Sequence, residues 1–202
     1  MRNLTLTEEE FNKQWVTFWG NMTLCGLSGH YDEDTLKEKL KNAPGALSTD
    51  TGLAYPGALL VHINLITGIA ARLAKMVAGT FPNINDQNLT KICLIQHLSK
   101  FEMYEPNDNQ WEIEKRGMAY KFAETEGCLK FGERSALNAL NAGIKLTPTE
   151  FEAICALDKD GEEAKSRKYI VSITTTIIRQ ANELAYAIER ERFNKINAEE
   201  KL

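Results

Sequence analysis

Only three histidines occur among the 202 residues, and two of them sit where chemistry could be done. His97 stands beside Gln96 in the middle of the apolar run KICLIQHLSK, Lys91 to Lys100, and His62 lies on an apolar stripe further upstream. A polar side chain buried without a partner costs about 1–3 kcal/mol, so these residues need each other or a ligand. Imidazole and side-chain amide both donate and accept hydrogen bonds, and imidazole also binds metals. One imidazole does not make a metal site, so a satisfied core histidine is the first reading of His62. The third histidine, His30 in LSGHYDED, reads as a loop residue next to a helix start. Asp158 and Asp160 in LDKDGEE have the look of a calcium loop. The flanking glutamate and the remaining alternate oxygen ligands are missing, so a solvated turn is expected there. Cys25, Cys93, Cys128 and Cys155 lie far apart with no CxxC pair. That argues against a disulfide framework or zinc knuckle and for reduced thiols in a cytosol-like compartment.

Helices must position these residues, because the hydrophobic pattern has helical period almost throughout. Thr7-Glu8-Glu9-Glu10 is a capping box opening a helix with Phe11, Trp15 and Phe18 on one face. A short amphipathic helix follows Asp32, and a Gly/Pro/Ser/Thr-rich loop runs from Asn42 to Gly57. Leu59, His62, Leu65, Ile66, Ile69, Leu73 and Met76 then predict a long helix over about 58–78. The Gln96–His97 helix is expected over about 87–101, and the stretch from Tyr104 to Phe122 as irregular chain or a short β-ribbon. A helix from about Gly132 stops at Gly143. Thr147-Pro148-Thr149-Glu150 carries N-cap, first-turn proline and capping glutamate for the next. The last helix is expected over about 168–197, with Ile170, Ile173, Ile177, Ala181, Leu184 and Ile188 as its core seam. Val171, Ile178, Tyr186 and Phe193 form a second apolar strip, and ERERFNK, Glu189 to Lys195, is expected as a solvated face.

Bulk properties narrow the functions. A net charge of −4 gives no electrostatic footprint for nucleic acid or an anionic membrane. No apolar run is expected to approach the roughly 20 residues that span a bilayer, and MRNLTLTEEEF is no signal peptide. The expectation is an all-α fold. It comprises N-terminal helices over 1–42, a helical domain over 43–190 with a long C-terminal helix, and a charged tail over 191–202.

The order and wording of these segments resemble the HD-domain metal-dependent phosphohydrolases. GLAYPGALLVHIN, LIQHLSK, KFGERS, LTPTEFEAICAL and ANELA follow one another as the family's motifs do, across about 43–188. In the family, a core His, an adjacent His-Asp pair and a later Asp hold one or two divalent metals, and further histidines complete the site or meet phosphate. Carried onto this chain, the core His is His62. The His-Asp pair falls on Gln96 and His97, the later Asp on Asn182, and the His of the KFGERS segment on Phe131. The early His falls on Gly52 and the one closing the LTPTEFEAICAL segment on Leu157.

The resemblance thus implies a retained frame with lost ligands. A site of this kind needs carboxylates to offset the cation that activates water. With an amide and an imidazole in their place, no anionic ligand is expected to line the pocket, and His62, Gln96, His97 and Asn182 are expected to hydrogen-bond to one another. Lys100 and Arg134 are the only basic residues near it. The expected protein is a catalytically inactive, cytoplasmic HD-like domain that binds no cofactor and no metal. It is expected to serve as a structural or interaction component of a larger oligomeric assembly, a virus particle among the settings that fit. Its partner would be a protein or a second copy, engaged through the aromatic N-terminal helix (Trp15, Phe18, Trp19) and the C-terminal helix. The alternatives are a divergent metal-dependent phosphohydrolase and a non-hydrolysing sensor of a nucleotide or other phosphorylated ligand.

Overall fold

The chain is described by a computed structural model covering residues 5–124, 127–156 and 172–199. Leu157, Asp158, Asp160, Ile170 and Val171 lie outside the described residues.

Local signals start the helices where the sequence places them. Thr7 caps α1 (Glu8–Leu24): its hydroxyl accepts from the Glu10 amide, and the Glu10 carboxylate accepts from the Thr7 amide. Asp32 caps α2 (Glu33–Asn42) through Thr35, and Thr147 with Glu150 closes the capping box of α8 (Pro148–Cys155). Such caps satisfy amides that would otherwise have no partner in the first turn. Between them run α3 (Ala58–Val77), α4 (Asp86–Ile95), a single turn α5 (Lys100–Met103), α6 (Gln110–Arg116) and α7 (Phe131–Asn141). The described residues close with α9 (Ile173–Glu199), which continues unbroken past residue 190.

The fold is an all-α bundle with a long C-terminal helix. At its centre stands α3, packed against α1, α4 and α9, with α8 touching α4, α7 and α9. Phe11, Trp15, Phe18 and Met22 of α1 drop into the same core as Leu59, Ile63 and Ile66 of α3, so Trp15 and Phe18, expected at a partner surface, lie inside the fold instead. By length and composition α3 could cross a membrane, which corrects the expectation that no stretch approaches that size. Its ten buried residues, His62 among them, mark it here as the core helix of the bundle.

Three further expectations change. The ribbon forms, as antiparallel β1 (Tyr104–Pro106) and β2 (Tyr120–Phe122), but α6 is inserted between its strands. Asn109 starts α6 by accepting from the Trp111 and Glu112 amides, so a turn-rich stretch became a short helix. The expected 87–101 helix is broken after Ile95 by a tight turn whose bonds run from Leu98 to Ile95 and from Lys100 to His97. The turn buries Gln96, His97, Ser99 and Lys100 together.

The largest correction concerns α9. Ile177 and Ala181 of the expected core seam are buried, but Leu184 and Ile188 are exposed at 43% and 36%, and the stripe that stays buried along the helix is Ile178, Asn182, Ala185, Glu189 and Phe193. These recur every three or four residues, so the helix buries one continuous face that happens to carry an amide and a carboxylate. The expected solvated run beginning at Glu189 therefore has Glu189 and Phe193 inside.

Candidate functional site

The buried polar residues of α3, the α4–α5 turn and α9 meet in one cluster. His62 comes from α3. Gln96, His97 and Lys100 come from the turn and the start of α5. Asn182, Tyr186 and Glu189 project from three successive turns of one α9 face. Asn182 is the hub. Its amide nitrogen donates to the Ile178 carbonyl at 2.8 Å and to Gln96 Oε1 at 3.3 Å. This turns its oxygen toward His97, whose Nε2 donates to it at 2.7 Å. His97 is thereby held as the tautomer with its proton on Nε2.

His62 does not join that chain. Its Nδ1 lies 2.8 Å from Glu189 Oε2, and its ring packs against Tyr186 and His97 with centroids 4.5 and 5.1 Å away. The expected four-way network of His62, Gln96, His97 and Asn182 is thus a three-membered chain beside a separate His62–Glu189 pair. Glu189 also corrects the expectation that no carboxylate lines the pocket.

Lys100 supplies the cluster's fixed charge. Its ammonium, with the residue only 4% exposed, donates to the Gly45 carbonyl at 2.9 Å and to the Tyr186 hydroxyl at 3.0 Å. The rings of Tyr104, Phe131 and Tyr186 stand within 6.0 Å of it, an aromatic enclosure of the kind that favours cations. Phe131, the first residue of α7, is half-buried, meets Tyr104 edge-on at 5.6 Å and stacks on Phe122 at 5.9 Å.

The loop carrying Gly52 closes the cluster. Gly52 has φ +73°, and a Cβ there would come within 2.7 Å of Phe193 Cβ and 3.0 Å of the Glu189 carbonyl. Only glycine fits both the left-handed backbone and the close approach, so a histidine cannot occupy this position without moving α9.

Electrostatics follow from burial. His62 and His97 are held well below the usual 6.5, chiefly by burial and then by the Lys100 charge. Burial raises Glu189 to about 8, against the opposing pull of Lys100 and Arg192. The His62–Glu189 contact is therefore a neutral hydrogen bond sharing one proton, since burial disfavours separated charges on both partners. Lys100 behaves differently. Burial works against its charge, but Tyr186, Tyr104 and Glu189 outweigh it and lift its pKa above 10.5. At neutral pH the pocket is positive.

Four atoms of the cluster, His62 Nε2, Gln96 Nε2, His97 Nδ1 and Glu189 Oε1, are buried without a hydrogen-bond partner among the described residues. His30 is remote from all of this, with Nδ1 2.8 Å from the Ala142 carbonyl. Cys93 is buried with its thiol pushed up to about 12, an inert core group. Among the described residues no three His, Cys, Asp or Glu side chains come together in a way that could hold a metal ion.

Sequence reasoning placed His62, Gln96, His97 and Asn182 side by side through the family resemblance, and it missed Glu189 and the central role of Lys100. The signal for Glu189 was its spacing of seven from Asn182 and eleven from Ile178. Comparison with family models, curated proteins and solved structures finds no match for this chain.

Proposed function

We propose that this chain is a catalytically inactive, HD-like helical domain that serves as a structural or protein-interaction component of a larger assembly. The observation that carries the reading is the charge balance of the cluster. Its one permanent charge is the enclosed Lys100 ammonium, its one carboxylate is engaged with His62, and Gln96, His97 and Asn182 are neutral. A divalent cation would enter a pocket that is already positive and meet a single carboxyl, Glu189, which burial keeps protonated at neutral pH and which is bonded to His62, and this is unfavourable in a low-dielectric interior. Without that ion no water is activated and no phosphoryl oxygen is clamped. Exposed apolar side chains outside the cluster, Val16 and Leu24 on α1 and Leu184 and Ile188 on α9, support contact with a partner.

The test is a phosphatase screen against nucleotides and p-nitrophenyl phosphate with Mn²⁺, Mg²⁺, Fe²⁺ or Ni²⁺, beside light scattering of the purified protein. No metal-dependent turnover is expected. Turnover abolished by His62→Ala would overturn the reading.

A second reading, a sensor that binds without cleaving, draws on the four partnerless buried atoms, because each is an unmet hydrogen bond that a small guest could satisfy. It predicts that a nucleotide raises the melting temperature. A ligand at a hundred times its Kd stabilises by about 2.7 kcal/mol, so an unchanged midpoint at millimolar nucleotide rejects it.

A further inference from the structure

A cleft of about 260 Å³ opens between α2, the α4–α5 turn and α7, and no residue of the polar cluster lines it. Its floor is apolar: Leu36 and Leu98 are buried there beside the Phe101 ring. Its rim carries two carboxylates, Asp32 and Glu102, against the single ammonium of Lys39. That ammonium stands 4.8 Å from the centroid of the Phe101 ring and 4.0 Å from Glu102 Oε1. Asn138 donates to the other oxygen, Oε2, at 2.9 Å and so holds the carboxylate in place.

The arrangement displays the chemistry it would recognise. An alkylammonium already lies over an aromatic face beside a fixed carboxylate, at the end of an aliphatic stem. The lysine stands short of the carboxylate, at 4.0 Å and beyond hydrogen-bond reach, whereas a charge-assisted N–H···O bond closes to about 2.7–2.9 Å. An exposed pair at this distance contributes little, so its displacement costs little. The Tyr31 hydroxyl on the same rim is pushed up to about 12 by burial and by the Glu102 charge, and it stays protonated as a donor.

We propose that this cleft is a binding site for a primary alkylammonium group, held by the Glu102 carboxylate and the Phe101 ring, with Lys39 as its tethered and displaceable occupant. The group would arrive on a free amine or on the lysine side chain of a partner. The site is independent of whether the His62 cluster is catalytic.

The experiment is an amide-resolved NMR titration of the full chain with n-butylammonium chloride and, separately, with the peptide acetyl-Gly-Lys-Gly-amide. The expected result is a saturable shift confined to Phe101, Glu102, Asn138 and their neighbours. Lys39→Ala should tighten it by about two- to fivefold, the worth of an exposed cation–π contact released to the ligand. Glu102→Gln should abolish saturation, and n-butanol, with the same stem and no charge, should give none. Binding of the peptide alone assigns the site to a partner's lysine, and binding of the amine alone assigns it to a free amine. No saturable shift in either the wild type or Lys39→Ala, an equal response to butanol, or indifference to Glu102→Gln would overturn the proposal.

Discussion

Glu189 and the two buried histidines pull the pH dependence of stability in opposite directions. The Glu189 carboxyl rises from 4.5 to about 8 on folding, so the folded chain holds a proton that the unfolded chain has lost between those values. Its contribution is complete below pH 4.5 and fades as pH rises through about 8. His62 and His97 are shifted below 6.5, so their contribution is complete above 6.5 and fades as pH falls below it. Between 4.5 and 6.5 the unfolded state therefore binds two histidine protons against the folded state's one on Glu189, and above 6.5 only the Glu189 term remains. The cluster accordingly places maximum stability near pH 6.5. Urea denaturation across pH 5–9 should show this, and Glu189→Gln should remove the alkaline fall while keeping the acid one. A persisting alkaline fall in that variant would show that the proton sits elsewhere. A second change tests the hub: Asn182→Ala leaves His97 Nε2 and Gln96 Oε1 without their protein partner, and a loss of about 2–4 kcal/mol in the same assay is expected.

At the scale of elements, α9 decides how the site is built, and it is where a reading by hydrophobicity alone misleads. Helix starts were legible because capping is local: Thr7, Asp32 and Thr147 announce themselves within four residues. The buried face of α9 was not, since it interleaves Asn182 and Glu189 with Ile178, Ala185 and Phe193. The neighbouring strip with Leu184 and Ile188 is the more apolar of the two. Tertiary pairing outweighed it, because both polar residues find hydrogen-bond partners on α3 or in the α4–α5 turn. Two substitutions separate the faces. Ile178→Ala should cost about 2–5 kcal/mol, the price of a core cavity, whereas Leu184→Gln should change stability by no more than about 0.5 kcal/mol. The opposite order would put Leu184 in the core and Ile178 outside it. The approach of the Gly52 loop to α9 makes a third case. Gly52→Ala combines a strained positive φ with a 2.7 Å contact, and thermal unfolding should show a loss of about 1–3 kcal/mol.

For the whole molecule, the all-α architecture was readable from periodicity, while the character of its interior was not. Assembling His62, Gln96, His97 and Asn182 from three separate segments needed the family resemblance, and the structure does bring them together. What no local pattern could reveal is a net charge summed over several elements: Lys100 from a turn, Glu189 from the last helix, and three aromatic rings from α9, β1 and α7 around one ammonium. That sum is the basis for reading the chain as a domain used for its shape and surfaces. The most direct measurement is the metal content of the purified protein after equilibration with Mn²⁺, compared with Gln96→His/His97→Asp/Asn182→Asp, which returns two carboxylates and a histidine to the pocket. The wild type should carry no Mn²⁺ above background, and the triple variant should gain affinity for it. One ion bound per wild-type chain, lost on His62→Ala, would contradict the account.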